Sequence, residues 1–189
     1  MPKTNLLPLL NWKGIIATAK TFGEWSAGSE VPASRDRIAK ALNELDLPAR
    51  ARDAVRALQR DIHVVAIAED WCGDVVRHVP ALERLAQENP LIRTHYISRE
   101  QHLDVFARFL TNGGEAIPKF IFLSADLVET GHWGPMPTEC RKLLSRGKAL
   151  GDIPTARKKV SESYNADPQL LVVIAELTEL LRIAGATEV

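Results

Sequence analysis

A chain of 189 residues has room for one well-buried core and is short for two. With 46% hydrophobic and 25% charged residues its composition is ordinary for a globular protein, and 24 Lys+Arg against 24 Asp+Glu leave no net charge, which excludes a global field that would gather nucleic acid or an anionic membrane. Two cysteines, Cys72 and Cys140, are too few for a disulfide framework or a structural zinc site, and suit a reducing, cytoplasmic compartment.

The N-terminal apolar run Leu6-Leu7-Pro8-Leu9-Leu10 is cut short by Asn11 and Lys13 and does not reach the length of a secretory h-region. No apolar stretch approaches the roughly 20 residues that span a bilayer, so no membrane association is expected. A helical extension is expected over residues 1–60. Trp12, Ile15, Ile16, Phe22 and Trp25 have helical spacing, and Ser34 reads as the N-cap of a helix carrying Ile38, Leu42 and Leu45. Pro48 stops that helix and starts the next, with Val55 and Leu58 on its apolar edge. The basic clusters around Arg50 and Arg52 and at Arg157-Lys158-Lys159 read as solvated helix faces.

The texture changes at His63. Val64 to Ala68 is a β-branched apolar run that fits a strand buried on both faces. After Glu69-Asp70-Trp71-Cys72-Gly73-Asp74, the spacing of Val75, Val79, Leu82 and Leu85 predicts a helix ended by Asn89-Pro90. Leu91 to Ile97 reads as a second strand. Leu103, Phe106 and Leu110 mark an amphipathic helix closed by Asn112-Gly113-Gly114. Ile117 to Leu123 is a third strand, Leu127 to Trp133 a fourth, and a helix runs on through Leu143, Leu144 and Leu150. The order over 61–150 is β-α-β-α-β-β-α, an α/β domain. Residues 151–189 add a second helical extension, in which Asp167-Pro168 starts a helix with a broad stripe of Leu170, Leu171, Ile174, Leu177, Leu180 and Leu181. That stripe is expected to pack on the parent domain, leaving a monomer or a weak homodimer.

A cysteine between a buried strand and a helix start faces unpaired backbone N–H groups and the positive end of the helix dipole, both of which favour thiolate, the attacking form. Trp71 beside Cys72 offers a flat apolar surface to a partner. Asp74 opposes the dipole. Glu69 and Asp70 read as a solvated loop pair. His63, His78, His95, His102 and His132 show no ligand spacing, so neither a metal nor a tightly bound cofactor is expected.

Trp71-Cys72-Gly73-Asp74-Val75 resembles the Trp-Cys-Gly-x-Cys site of the thioredoxin superfamily, and most closely a bacterial thioredoxin-like group with helical N-terminal extensions. Pro80, in the helix after the thiol, and Ile117-Pro118 fit the same resemblance, the latter as the cis-proline signature opposite the cysteine. So does the Gly131–Gly134 region, matching the glycine that admits a substrate chain. The resemblance implies a thioredoxin-like fold with Cys72 as nucleophile, and Trp71, Gly73, Ile117 and Pro118 framing the substrate. Two departures matter. Val75 stands in place of the second, resolving cysteine, and Ala66 where the family buries an aspartate that serves that thiol. The preferred expectation is therefore a monothiol protein exchanging disulfides with protein or peptide thiols. Glutathione or another external thiol, as co-substrate, would resolve the mixed disulfide. Cys140, near the start of the last helix of the fold, is the alternative resolving thiol. The competing reading is a redox-silent peptide-binding module.

Overall fold

Pairs of short helices open the chain. In this computed structural model, which describes residues 7–187, α1 (Trp12–Thr18) is capped by the Asn11 side chain, and α2 (Phe22–Ala27) by a reciprocal Thr21–Glu24 capping box. Leu6, first residue of the N-terminal apolar run, lies outside the described residues. Between these helices Lys20 is extended and exchanges two backbone hydrogen bonds with Tyr96, at 2.9 and 2.7 Å. Next come α3 (Pro32–Glu44) and α4 (Ala49–Arg56). The expected start of α3 at Ser34 is corrected: Pro32, with its pre-set φ, takes the first turn and Val31 the cap. Ser34 is buried on that turn, where its hydroxyl accepts a hydrogen bond from Arg37.

Strand β1 (Ile62–Ile67) is the interior strand that its composition predicts, with Ile62, Val64, Val65, Ala66 and Ile67 all fully buried. The long crossover helix α5 (Gly73–Ala86) leads from β1 to the parallel strand β2 (Ile92–Ile97). Val75, Val79, Leu82 and Leu85 form its core-facing stripe, each without exposure.

The segment from Leu103 departs from expectation. Helix α6 (Leu103–Phe106) is a single turn, and Leu103 and Leu110 face solvent. Val105, Phe106 and Phe109 are the buried residues, with Phe109 packed between Trp12 and His132. Tertiary packing of the aromatic ring overrides the helical spacing here. Asn112 and Gly113, both at positive φ, make the expected stop.

Strands β3 (Lys119–Leu123) and β4 (Glu129–Trp133) complete an antiparallel flank, and the sheet order is β2-β1-β3-β4. Helices α7 (Thr138–Ala149), α8 (Ile153–Ala166) and α9 (Leu171–Ala184) follow. Asp167 does cap α9, its carboxylate accepting from the N–H groups of Leu171 (2.8 Å) and Val172 (3.0 Å). Pro168 does not start the helix; Leu170, in a left-handed conformation, precedes it. The apolar stripe of α9, except the half-exposed Leu171 expected in it, lies on β3, β4, α4 and α5. Gly131 makes this possible, since a Cβ there would come within 2.9 Å of the Leu180 side chain. Buried residues of both helical ends and of the sheet belong to one continuous core. Among the described residues no helix is long and apolar enough to cross a membrane.

Candidate thiol site

The end of β1 and the start of α5 hold Cys72 at the helix N-cap, with extended backbone and a half-buried side chain. The turn before it closes through the Cys72 N–H, which donates to the Glu69 carbonyl at 3.1 Å. No side chain caps α5, so its first N–H groups stay available at the thiol. The Cys72 thiol donates to the carbonyl of Ile117 at 3.5 Å. Ile117 and Pro118 are buried and joined by a cis peptide. Cys72 thus meets the Ile117–Pro118 turn.

The glycine after β4 has a packing role. Gly134 sits at φ +120°, and a Cβ there would lie 2.0 Å from the Pro118 carbonyl oxygen. Its bare backbone lets the chain press against the Pro118 turn. At Gly131 the space a side chain would need is taken by Leu180.

Glu69 and Asp70 are not a solvated pair. The Asp70 carboxylate accepts from the Ser29 hydroxyl (2.5 Å) and the Val31 N–H (3.1 Å), tying the N-terminal extension to the thiol loop. Glu69 accepts from the Arg99 N–H at 2.9 Å. The Arg99 guanidinium lies 5.1 Å from the centre of the Trp71 ring. Trp71 is thereby held in place while 58% exposed, an apolar platform beside the thiol.

The C-terminal extension grips the other side. Tyr164 donates its hydroxyl to Asp74 at 2.8 Å, and Arg77 donates to the carbonyls of Tyr164 (2.6 Å) and Asp167 (2.9 Å). Burial pushes the Asp74 carboxyl above the usual carboxylate range, while the Tyr164 bond and Arg77 oppose that rise. Burial and the Asp74 charge raise the Tyr164 phenol. Nothing in the local sequence pattern signals Arg77 or Tyr164 as parts of this site.

These ties leave a cavity of about 790 Å³, floored by Cys72, Gly73, Asp74, Val76 and Arg77 and walled by α3 and the turn at Pro168–Leu170. Both helical extensions therefore frame the thiol without burying it. Beneath it, Val75 and Ala66 are completely enclosed, so neither thiol nor carboxylate backs Cys72 from the core.

Cys140 is a free thiol buried with Met136 and Val160, and it opens on a different cavity, near Ser163 and Tyr164. Burial pushes its thiol pKa up, and the charges of Asp74 and Glu176 add to the effect. His78 lies edge-on to Trp133 and Tyr164 with both ring nitrogens unpaired, and burial lowers its pKa to about 3. It is a neutral core residue. Among the described residues no cluster of three or more His, Cys, Asp or Glu could hold a metal.

A family model described as thioredoxin matches residues 20–152. Two solved structures share the fold at low identity. One is a protein of unknown function from Pseudomonas aeruginosa, 18% identical with a TM-score of 0.71, covering 92% of this chain and 98% of that one. The other is an HIV epitope scaffold, 17% identical with a TM-score of 0.70 and the same coverage. No curated protein matches the chain in sequence.

Proposed function

This chain belongs to the thioredoxin family, and from that premise we propose that it is a monothiol disulfide-exchange protein working through Cys72. The observation that carries this reading is the half-buried Cys72 thiol at an uncapped helix start, 3.5 Å from the Ile117 carbonyl, with Val75 fully enclosed three residues on.

In the first step the Cys72 thiolate attacks one sulfur of a substrate disulfide. A Cys72–sulfur bond forms, the substrate S–S bond breaks, and its electron pair leaves on the other sulfur as a thiolate that takes a proton from water. An ordinary family member would then be released by its own second thiol. Val75 has none, so the mixed disulfide lasts until an external thiolate attacks the substrate-derived sulfur. That attack restores Cys72 and carries the substrate half away in a new disulfide. Glutathione is the class of co-substrate that fits, being small enough for a cavity of about 790 Å³. Trp71 and Gly73 offer an open surface to the substrate, and the Ile117–Pro118 turn its backbone. A reducing, cytoplasmic setting supplies the thiol. Cys140 is not assigned a part, because it is buried and its thiolate is disfavoured.

Reduction of bis(2-hydroxyethyl) disulfide by glutathione, coupled to glutathione reductase, tests the reading. Turnover is expected in the wild type and in Cys140→Ser, and should fall to background in Cys72→Ser. A wild type at background would leave a redox-silent binding module as the better description.

A further inference from the structure

A second cavity of about 460 Å³ shares no lining residue with the thiol cleft. It lies where β3 begins, between the Thr111–Asn112 turn and one face of α7. Thr138, Arg141, Lys142, Ser145 and Arg146 line it at spacings of three, one, three and one, the period that puts residues on one helix face. Four cations contribute to the lining and no carboxylate does.

The cation at its base is unusual. Lys119 is 2% exposed, and its ammonium donates to the Thr111 hydroxyl and to the Gly134 carbonyl (3.3 Å), with no carboxylate in ion-pair reach among the described residues. A buried ammonium without a counter-charge is costly. Arg141 is likewise without a carboxylate. It donates to the Thr138 hydroxyl at 2.9 Å, and its buried Nε has no partner. Arg146 makes no ion pair among the described residues; only Lys142 does, with Glu139 at 2.6 Å. Two further carboxylates flank the cavity: Glu176 accepts from the Thr138 backbone N–H at 3.1 Å, and Glu129 acts on His132 from along β4, against the opposing charges of Lys119 and Arg141.

The neutral groups sharpen the chemistry. Three hydroxyls line the cavity, and each already accepts from a nitrogen: Thr111 from Lys119, Thr138 from Arg141, and Ser145 from Asn112 at 2.9 Å. Their own hydrogens are left to donate. A lining of cations and hydroxyl donors calls for a ligand that is all acceptor and multiply charged.

We propose that this cavity binds the phosphate group of a small phosphorylated molecule, held by Lys119, Arg141 and Arg146 with the Thr111, Thr138 and Ser145 hydroxyls. The planar fork of Arg141 suits bidentate contact with a phosphate. A monocarboxylate would neutralise less of the charge and accept fewer of the donors. The volume falls within the ~300–1,000 Å³ range of small-molecule sites, enough for the phosphate and part of the group that bears it. The site is independent of the thiol chemistry, so either can fail alone.

Amide chemical shifts read at constant ionic strength while titrating glycerol 3-phosphate, inorganic phosphate, acetate or chloride test the proposal. Saturable shifts confined to the region of Asn112, His132 and Ser145 are expected with the two phosphates and not with acetate or chloride. Tighter binding of glycerol 3-phosphate would mark a phosphorylated metabolite as the source, and equal binding free phosphate; both support the phosphate site. Arg146→Gln, at an exposed position, should weaken binding at least tenfold with the fold and thiol exchange intact, and Arg141→Gln more. No saturable shift with either phosphate, or shifts undiminished in Arg146→Gln, would overturn it.

Discussion

The thiol cleft and the basic cavity handle charge in opposite ways. Around Cys72 each charged side chain has a polar partner: Asp70 in Ser29 and Val31, Glu69 in Arg99, Asp74 in Tyr164, and Arg77 in two backbone carbonyls, although the buried Nε atoms of Arg77 and Arg99 are unpaired. Around Lys119, positive charge collects with little to balance it. A settled electrostatic frame suits a site whose chemistry is one sulfur atom. An unbalanced one suits a site completed by a ligand. The two meet at a single structural element, because Gly134 presses on the Pro118 carbonyl while its own carbonyl accepts from Lys119.

Breaking that shared element should have the largest effect. In Gly134→Ala the new methyl would collide with backbone, which cannot swing aside as a side chain can, and φ +120° disfavours any L residue. A loss of about 3 kcal/mol or more is expected in urea unfolding, with thiol exchange and phosphate-induced shifts both impaired. A variant of wild-type stability would mean that the Pro118 turn is not held as described.

The next effect separates the two regions by pH. Burial and the neighbouring Arg141 lower the Lys119 pKa from 10.5 to about 8. Unfolding therefore takes up a proton between these values, so stability is penalised below pH 8 and recovers as pH rises toward 10.5. Relative to Lys119→Gln, the wild type should gain about 3 kcal/mol across that window. Unfolding midpoints of the two proteins from pH 7 to 10 provide the check. A constant difference would show that Lys119 carries no such penalty.

A smaller change probes the settled side. Tyr164→Phe removes the donor to Asp74 and should cost about 1 kcal/mol, measured by the same unfolding at pH 7, while exchange through Cys72 persists. Loss of exchange at unchanged stability would give Tyr164 a direct part in the reaction.

Local signals made much of this molecule legible in its sequence. The β-branched run of β1, the stripe of α5, and Trp71-Cys72 ahead of a helix all lie within a few residues of one another. Ile117-Pro118 at the mouth of β3 is an equally compact signal, 45 residues from Cys72. The ties that shape the cleft depend instead on distant partners: Asp70 with Ser29, Arg77 with Tyr164, Asp74 with Tyr164. Gly131 and Gly134 were visible as glycines, but what fills their space, Leu180 and the Pro118 carbonyl, exists only after folding. The failure at Leu103 and Leu110 has the same origin, since packing on Trp12 selected Phe109 over the regular spacing. The basic face of α7 repeats at helical period in the sequence, yet Lys119 joins it only through the sheet.

The lifetime of the Cys72 mixed disulfide tests the central claim most directly. Intact-mass spectrometry would follow the protein charged with a small disulfide, in the wild type and in Val75→Cys, without added thiol and then with glutathione. The adduct should persist in the wild type until glutathione arrives, and should clear by itself in Val75→Cys as a second thiol takes its place. Spontaneous clearance in the wild type, abolished by Cys140→Ser, would contradict the monothiol reading and make Cys140 the resolving thiol.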